Sequence, residues 1–186
     1  MVMFNKKEVK NENINNNTNK EKESVLSTVI VIIVSLLIAI LSLCFFRLSE
    51  VDGHSMDNTL ADGEKLIVNT YIYKNNDPKH GDIVVVERRD LSIRYFIKRV
   101  IAVEGDTLKI ENNKVYLNGK ELKEDYIKEE MFTNDLELTI PEGKIFVMGD
   151  NRNSSLDSRS NVIGLVDVED ELLGKASFSI SNFKKL

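Results

Sequence analysis

Val25 to Phe46 is a run of 22 residues without one charged side chain. As a helix rising ~1.5 Å per residue it would span roughly the ~30 Å hydrocarbon core of a bilayer. Lipid offers backbone polar groups no partner, so a helix is the form such a run takes there. A cleaved leader would have a shorter apolar stretch ending in small residues. This run ends Leu43-Cys44-Phe45-Phe46-Arg47 and reads as a retained anchor over residues 24–46. Lys6, Lys7, Lys10, Lys20 and Lys22 precede it, whereas Arg47 stands alone after it until Lys65, among Glu50, Asp52, Asp57 and Asp62. That lysine bias places the N-terminus in the cytosol and residues 47–186 on the outer side. Residues 1–23, rich in Asn, Lys and Glu and lacking an apolar period, read as a disordered cytoplasmic tail.

The outer portion carries 26 acidic against 20 basic residues, a net charge of −6. This argues against nucleic acid as a partner, because such binding needs a basic face. The one cysteine, Cys44, sits in the anchor, so neither an internal disulfide nor a cysteine-based metal site is expected. No metal or other cofactor is expected, and the domain must be stabilised by its core. About 140 residues suffice for one. Short segments rich in Val, Ile and Phe read as strands: Glu64–Asn69, Asp82–Glu87, Arg94–Val103, Asp106–Ile110, Lys114–Leu117, Lys144–Met148, Val162–Val168 and Lys175–Ile180. Asn112-Asn113 and Asn118-Gly119 have the composition of tight hairpin turns. Glu121 to Leu136 is more polar and reads as a helical turn or irregular loop. The pattern predicts a mainly β, mostly antiparallel, partly closed fold.

Three polar segments carry residues able to do chemistry. In Gly53-His54-Ser55-Met56, a serine hydroxyl needs an adjacent base before it can act as a nucleophile. Gly53 permits positive φ or close approach of a substrate. In the strand through Phe96-Ile97-Lys98-Arg99-Val100, alternation puts Arg94, Phe96, Lys98, Val100 and Ala102 on one face. Lys98 is then flanked by apolar side chains. Burial there would lower its pKa, and a neutral amine can serve as a general base. The ordinary alternative is a lysine that snorkels to water at a strand end. Arg99 points the other way and stays charged. His54 is next to Ser55, but adjacent side chains in extended backbone diverge. His80, in a turn entering a strand, reads as solvated, so a Ser-His-Asp arrangement is disfavoured. The third segment, Gly149 to Arg159, is dense in groups that can cap backbone atoms, with Asp157 and Arg159 forming a charge-assisted pair.

With these segments in this order behind an outward-facing anchor, the chain resembles the type I signal peptidases, in particular the short Gram-positive-like form with one N-terminal transmembrane anchor. The resemblance runs over about 160 residues. It is carried by Ser55-Met56, Gly81–Val85, the lysine segment through Gly105-Asp106, and Gly149–Arg159. It implies a fold of coiled antiparallel β-sheets with a small β insertion near 107–139. It implies a membrane-bound serine endopeptidase that removes signal peptides from exported preproteins after an Ala-x-Ala pattern. Ser55 matches the nucleophile and Lys98 the general base of a Ser-Lys dyad. Ser155 matches the serine that orients the lysine, Asp157 and Arg159 the pair that stiffens the site, and Asp150 and Arg152 supporting positions. The Ser55 N–H would help stabilise the oxyanion, and Gly53 stands where some members carry a second, hydroxyl donor. Ile97 and Val51 are expected to line apolar pockets. Asn58, His80, Phe96 and Glu104 depart from the family's usual proline, arginine, tyrosine and proline. These departures concern substrate choice and allow an alternative, a dedicated processing or assembly factor for a few surface proteins such as pilins. A self-cleaving repressor of related chemistry would need a basic DNA-binding module where this chain has its apolar run. A catalytically silent tethered binding protein would be favoured if Ser55 or Lys98 were missing.

Overall fold

The computed structural model describes residues 4–89 and 94–186, with side chains described from Lys22 onward. Helix α1 runs Phe4–Phe45. Within it Lys22–Phe45, 24 residues, is long and apolar enough to cross a membrane, and none of it is buried in protein. The helix also takes in residues 4–23, which the sequence suggested were disordered; residues 1–3 lie outside the described residues. Nucleation is the costly step in helix formation, so a helix seeded by the apolar run extends readily into the Lys- and Glu-containing stretch before it. The helix ends one residue before the expected anchor boundary, because Phe46 already pairs with Asn69. The helix through Cys44 and the residues from Phe45 to Leu186 are separate compact units.

The second unit is mainly β and wholly antiparallel in its described pairings. Strands β1 (Phe46–Glu50), β2 (Lys65–Asn69), β3 (Ile83–Glu87), β4 (Tyr95–Val103), β9 (Lys144–Met148), β10 (Val166–Asp167) and β11 (Leu172–Ser179) form a large sheet. Their order is β1-β2-β11-β3-β4-β9-β10, and β12 (Lys184–Lys185) pairs with β11. Between β4 and β9 the chain leaves to build a smaller sheet. It comprises β5 (Thr107–Glu111), β6 (Lys114–Leu117), β7 (Lys120–Glu121) and β8 (Leu136–Thr139), in the order β7-β6-β5-β8. Both of its hairpin turns use left-handed residues: Asn112 and Asn113 at φ 51° and 64°, Asn118 and Gly119 at φ 52° and 78°. Positive φ at both central positions matches the right-handed twist of the flanking strands.

Three buried clusters organise this unit. Val84, Val86, Val100, Ile145, Val147 and Val166 pack on one face of the large sheet. Ile101, Ala102, Phe146 and Met148 of the large sheet meet Leu108, Ile110 and Val115 of the small one. Strand β4 serves both clusters by alternation, Val100 facing one and Ile101 the other, and its pairing with β9 shifts register between Val100 and Ala102. A bulge of this kind inserts a residue and breaks the two-residue alternation. Ala102 therefore leaves the face expected for it and packs beside Ile101. The third cluster joins Leu66, Ile83 and Ala176 to Val51, Met56 and Leu60, and so seats the turn that carries Ser55.

Candidate active site

Ser55 lies in a tight turn between β1 and β2. Leu60 N–H donates to the Met56 carbonyl at 2.8 Å, and Asp57 N–H to the His54 carbonyl at 3.2 Å. Met56 and Leu60, which follow Ser55 in this turn, are each 1% exposed. The chain thereby sinks two apolar anchors just past the serine, with Asn58 exposed between them and Thr59 turned inward to Asp150. Gly53 enters this turn at φ 95°, left-handed geometry that a Cβ would strain, and its N–H donates to Asp62 Oδ1 at 2.8 Å. Asn58 has φ 87°, a value closed to proline, whose ring fixes φ near −65°. The residue that departs from the family's usual proline thus sits in a backbone conformation proline cannot adopt.

Lys98 approaches from β4, where Val84 of β3 is its cross-strand neighbour. It is 4% exposed, and its Nζ donates to Ser55 Oγ at 2.8 Å and to the Ile97 carbonyl at 3.0 Å. The Phe96 ring lies 5.8 Å from Nζ, as alternation along the strand predicted. Burial pulls the ammonium down from its ordinary 10.5 to about 8; the Asp157 carboxylate opposes this and the Arg159 guanidinium adds to it. With the amine neutral, the same 2.8 Å contact can run in reverse, Oγ–H donating to Nζ. The two atoms are within proton-transfer distance and the acceptor titrates near neutrality.

The segment Gly149–Arg159 closes around this pair. Asn151 braces the serine: its backbone N–H donates to the Ser55 carbonyl at 3.0 Å and its Nδ2 to the His54 carbonyl at 2.9 Å. A Cβ at Gly149 would collide with the Ser55 carbonyl oxygen and with Ser155 Oγ, so only glycine lets the loop lie this close. Asp157 is 1% exposed and accepts from Gly149 N at 3.0 Å and from Arg159 Nε and Nη2, both at 2.8 Å. Asp150 is fully buried and accepts from Arg99 Nε at 2.8 Å and Nη2 at 2.6 Å. Arg152 is equally enclosed, donating to both carboxylate oxygens of Glu124 at 2.9 and 2.6 Å and to the Gly149 carbonyl at 3.0 Å.

Of the residues singled out from sequence, Ser55 and Lys98 are thus in contact and Asp157 and Arg159 pair. Ser155 is packed at the site, but its Oγ is buried and has no hydrogen-bond partner among the described residues, so the expected bond to the lysine amine is not formed. The lysine spends its described bonds on Ser55 and Ile97 instead. His54 contacts Asp57 at 3.3 Å, and His80 contacts Asp106 at 2.6 Å. Arg99, Glu124 and Asn151 were not among the residues expected to support the site. Arg99 does face away from Lys98, but into a buried ion pair.

An open groove of about 710 Å³ leads to the pair, with Val51, Tyr95, Ile97 and Leu156 among its lining residues. A serine held against a buried lysine at the floor of such a groove has the parts for attack on an extended chain. Residues 22–181 match the family model for signal peptidase, peptidase S26. The chain belongs to the signal peptidase I family. It is 36% identical over 165 residues to signal peptidase I U of Bacillus subtilis, covering 84% of this chain and 87% of that protein. It is 37% identical over 166 residues to signal peptidase I of Bacillus licheniformis, covering 83% and 88%. A crystal structure of a signal peptidase I from Enterococcus faecalis is 32% identical with a TM-score of 0.46, covering 54% of this chain and 97% of that one. Membership makes the protein a peptidase, a hydrolase whose family activity is removal of signal peptides from exported preproteins.

Proposed function

We propose that the enzyme cleaves with a Ser55–Lys98 dyad at the outer face of a membrane, anchored by Lys22–Phe45 with its N-terminus in the cytosol. The observation that carries this reading is the 2.8 Å contact between Lys98 Nζ and Ser55 Oγ with the lysine buried. Lys98, neutral, takes the Oγ proton as Ser55 attacks the carbonyl of the scissile bond. The Ser55 backbone N–H faces the developing oxyanion, and such a donor is worth about 3 kcal/mol in the transition state. The lysine ammonium then returns its proton to the leaving amine, and the ester on Ser55 is hydrolysed by water deprotonated by the same amine. Asp157 and Arg159, with Gly149, Asp150, Asn151 and Arg152, hold the loop against the serine. The anchor assignment is supported by the exposed apolar surface of α1, which water would penalise and lipid would accept. The orientation rests on Lys6, Lys7, Lys10 and Lys20 before the anchor and Lys22 at its start. Substrates would be preproteins with small residues at the first and third positions before the bond, the Ala-x-Ala pattern. The relatives bear the general name signal peptidase I, which favours this reading over a dedicated pilin processor.

The test is incubation of the full-length enzyme in lipid vesicles with a preprotein carrying an Ala-x-Ala site, beside Ser55→Ala and Lys98→Ala. The dyad requires cleavage at that site by wild type alone. Cleavage by either folded variant at the wild-type rate overturns it.

A further inference from the structure

The segment from Glu124 to Lys128 belongs to the excursion that builds the small sheet, between β7 and β8. It nevertheless reaches back to several residues that surround the reactive pair. The Arg99 guanidinium carbon lies over the Tyr126 ring at 4.1 Å from its centroid, and that of Arg152 at 5.9 Å. The Tyr126 hydroxyl donates to Glu124 Oε1 at 2.9 Å, and Glu124 is the carboxylate that satisfies Arg152. Asn58, at its left-handed φ of 87°, donates through Nδ2 to the Tyr126 carbonyl at 3.2 Å. Lys128 N–H donates to the Asp150 carbonyl at 3.2 Å, and its Nζ to Asp57 Oδ2 at 3.0 Å.

These contacts converge on the two backbones that must stay in register. Arg99 is the chain neighbour of Lys98. It is held by Asp150, by the Gly81 carbonyl at 2.9 Å and by the Tyr126 ring. Asp150 also accepts from Thr59 Oγ1, in the turn that carries Ser55. One buried carboxylate therefore ties the lysine strand to the serine turn, and Tyr126 covers the guanidinium that neutralises it. A cation is attracted to an aromatic face, more strongly when both are desolvated. A shift of about 1 Å between reacting groups can cost about 100-fold in rate.

We infer that Glu124–Lys128 is a latch through which the small sheet sets the Ser55–Lys98 register, with Tyr126 and Asn58 as positioning residues. This rests on the dyad reading above. The latch acts on kcat, because its described hydrogen-bond and ring contacts go to Arg99, Arg152, Asp57, Asn58 and Asp150, none of which lines the groove.

Tyr126→Leu removes the ring face, Tyr126→Phe keeps it, and Asn58→Gly removes the amide while allowing the left-handed backbone. kcat and KM are measured for each on folded full-length enzyme in vesicles with the Ala-x-Ala preprotein, beside Ser55→Ala and Lys98→Ala. Tyr126→Leu is expected to lower kcat about 30- to 100-fold and Asn58→Gly about 3- to 10-fold, each with KM within about twofold. Tyr126→Phe is expected to restore kcat to within about twofold of wild type. If Tyr126→Leu does not fold, Asn58→Gly decides. Wild-type kcat in folded Asn58→Gly, or loss through KM alone, overturns the latch. Activity retained by Ser55→Ala or Lys98→Ala overturns instead the dyad on which it rests.

Discussion

A buried amine that must be neutral to work is a burden on folding at neutral pH. Lys98 is 4% exposed, and burial lowers it from 10.5 to about 8. The gap of about 2.5 units corresponds to about 3 kcal/mol at about 1.36 kcal/mol per unit. The folded pKa lies below the unfolded one, so between about pH 8 and pH 10.5 the unfolded chain binds more protons and stability climbs with pH. Below about pH 8 the whole penalty stands; as pH rises through the folded and then the unfolded pKa, it is relieved. Lys98→Met keeps the length and apolar stem and has nothing to protonate. The stability difference between variant and wild type should therefore shift by about 2 to 3 kcal/mol in favour of wild type from about pH 7 to pH 10. Groups that titrate alike in both proteins cancel. Urea unfolding in detergent, followed by fluorescence of the five tyrosines in a chain without tryptophan, reads it out. A difference that stays constant across that range would refute the claim that burial depresses this lysine.

Lys98→Arg should be inactive while folded, since a guanidinium does not lose its proton near neutrality; a peptide-cleavage assay at about pH 8 checks this, and the same assay should be indifferent to chelators. Gly149→Ala should lower cleavage at least about tenfold, because the added methyl meets the Ser55 carbonyl and Ser155 Oγ; the cleavage rate and the melting temperature together separate a displaced serine from an unfolded domain.

What could be read from sequence was what short-range rules decide. Lys114–Leu117 and Lys144–Met148 match β6 and β9, and the two Asn-containing turns follow from residues that tolerate left-handed φ. Asp157 and Arg159, two residues apart, find each other for the same local reason. Features that depend on distant partners were missed. Strand β1 has little apolar pattern of its own and exists because β2 pairs with it. Leu136–Thr139 likewise becomes β8 only against β5. Val162–Val168 is apolar throughout most of its length, yet only Val166–Asp167 pairs, because Ser160 to Gly164 closes a turn first. In the site, Asp150 meets Arg99 across 51 residues and Arg152 meets Glu124 across 28. No spacing rule links such pairs, although the residue types invited ion pairing. Ser155 shows the converse, a residue whose position was legible and whose hydrogen bond was not.

Acylation of Ser55 tests most directly whether Lys98 is its base. Full-length enzyme is mixed with a signal-sequence peptide ester, quenched within one turnover, and the adduct is located by mass spectrometry from about pH 6 to pH 10. With the lysine at about 8, the rate should rise about tenfold per unit below that pH and level off above it. The adduct should sit on Ser55, and Lys98→Met should form almost none. Acylation elsewhere, a rate independent of pH, or an undiminished rate in Lys98→Met would contradict the account.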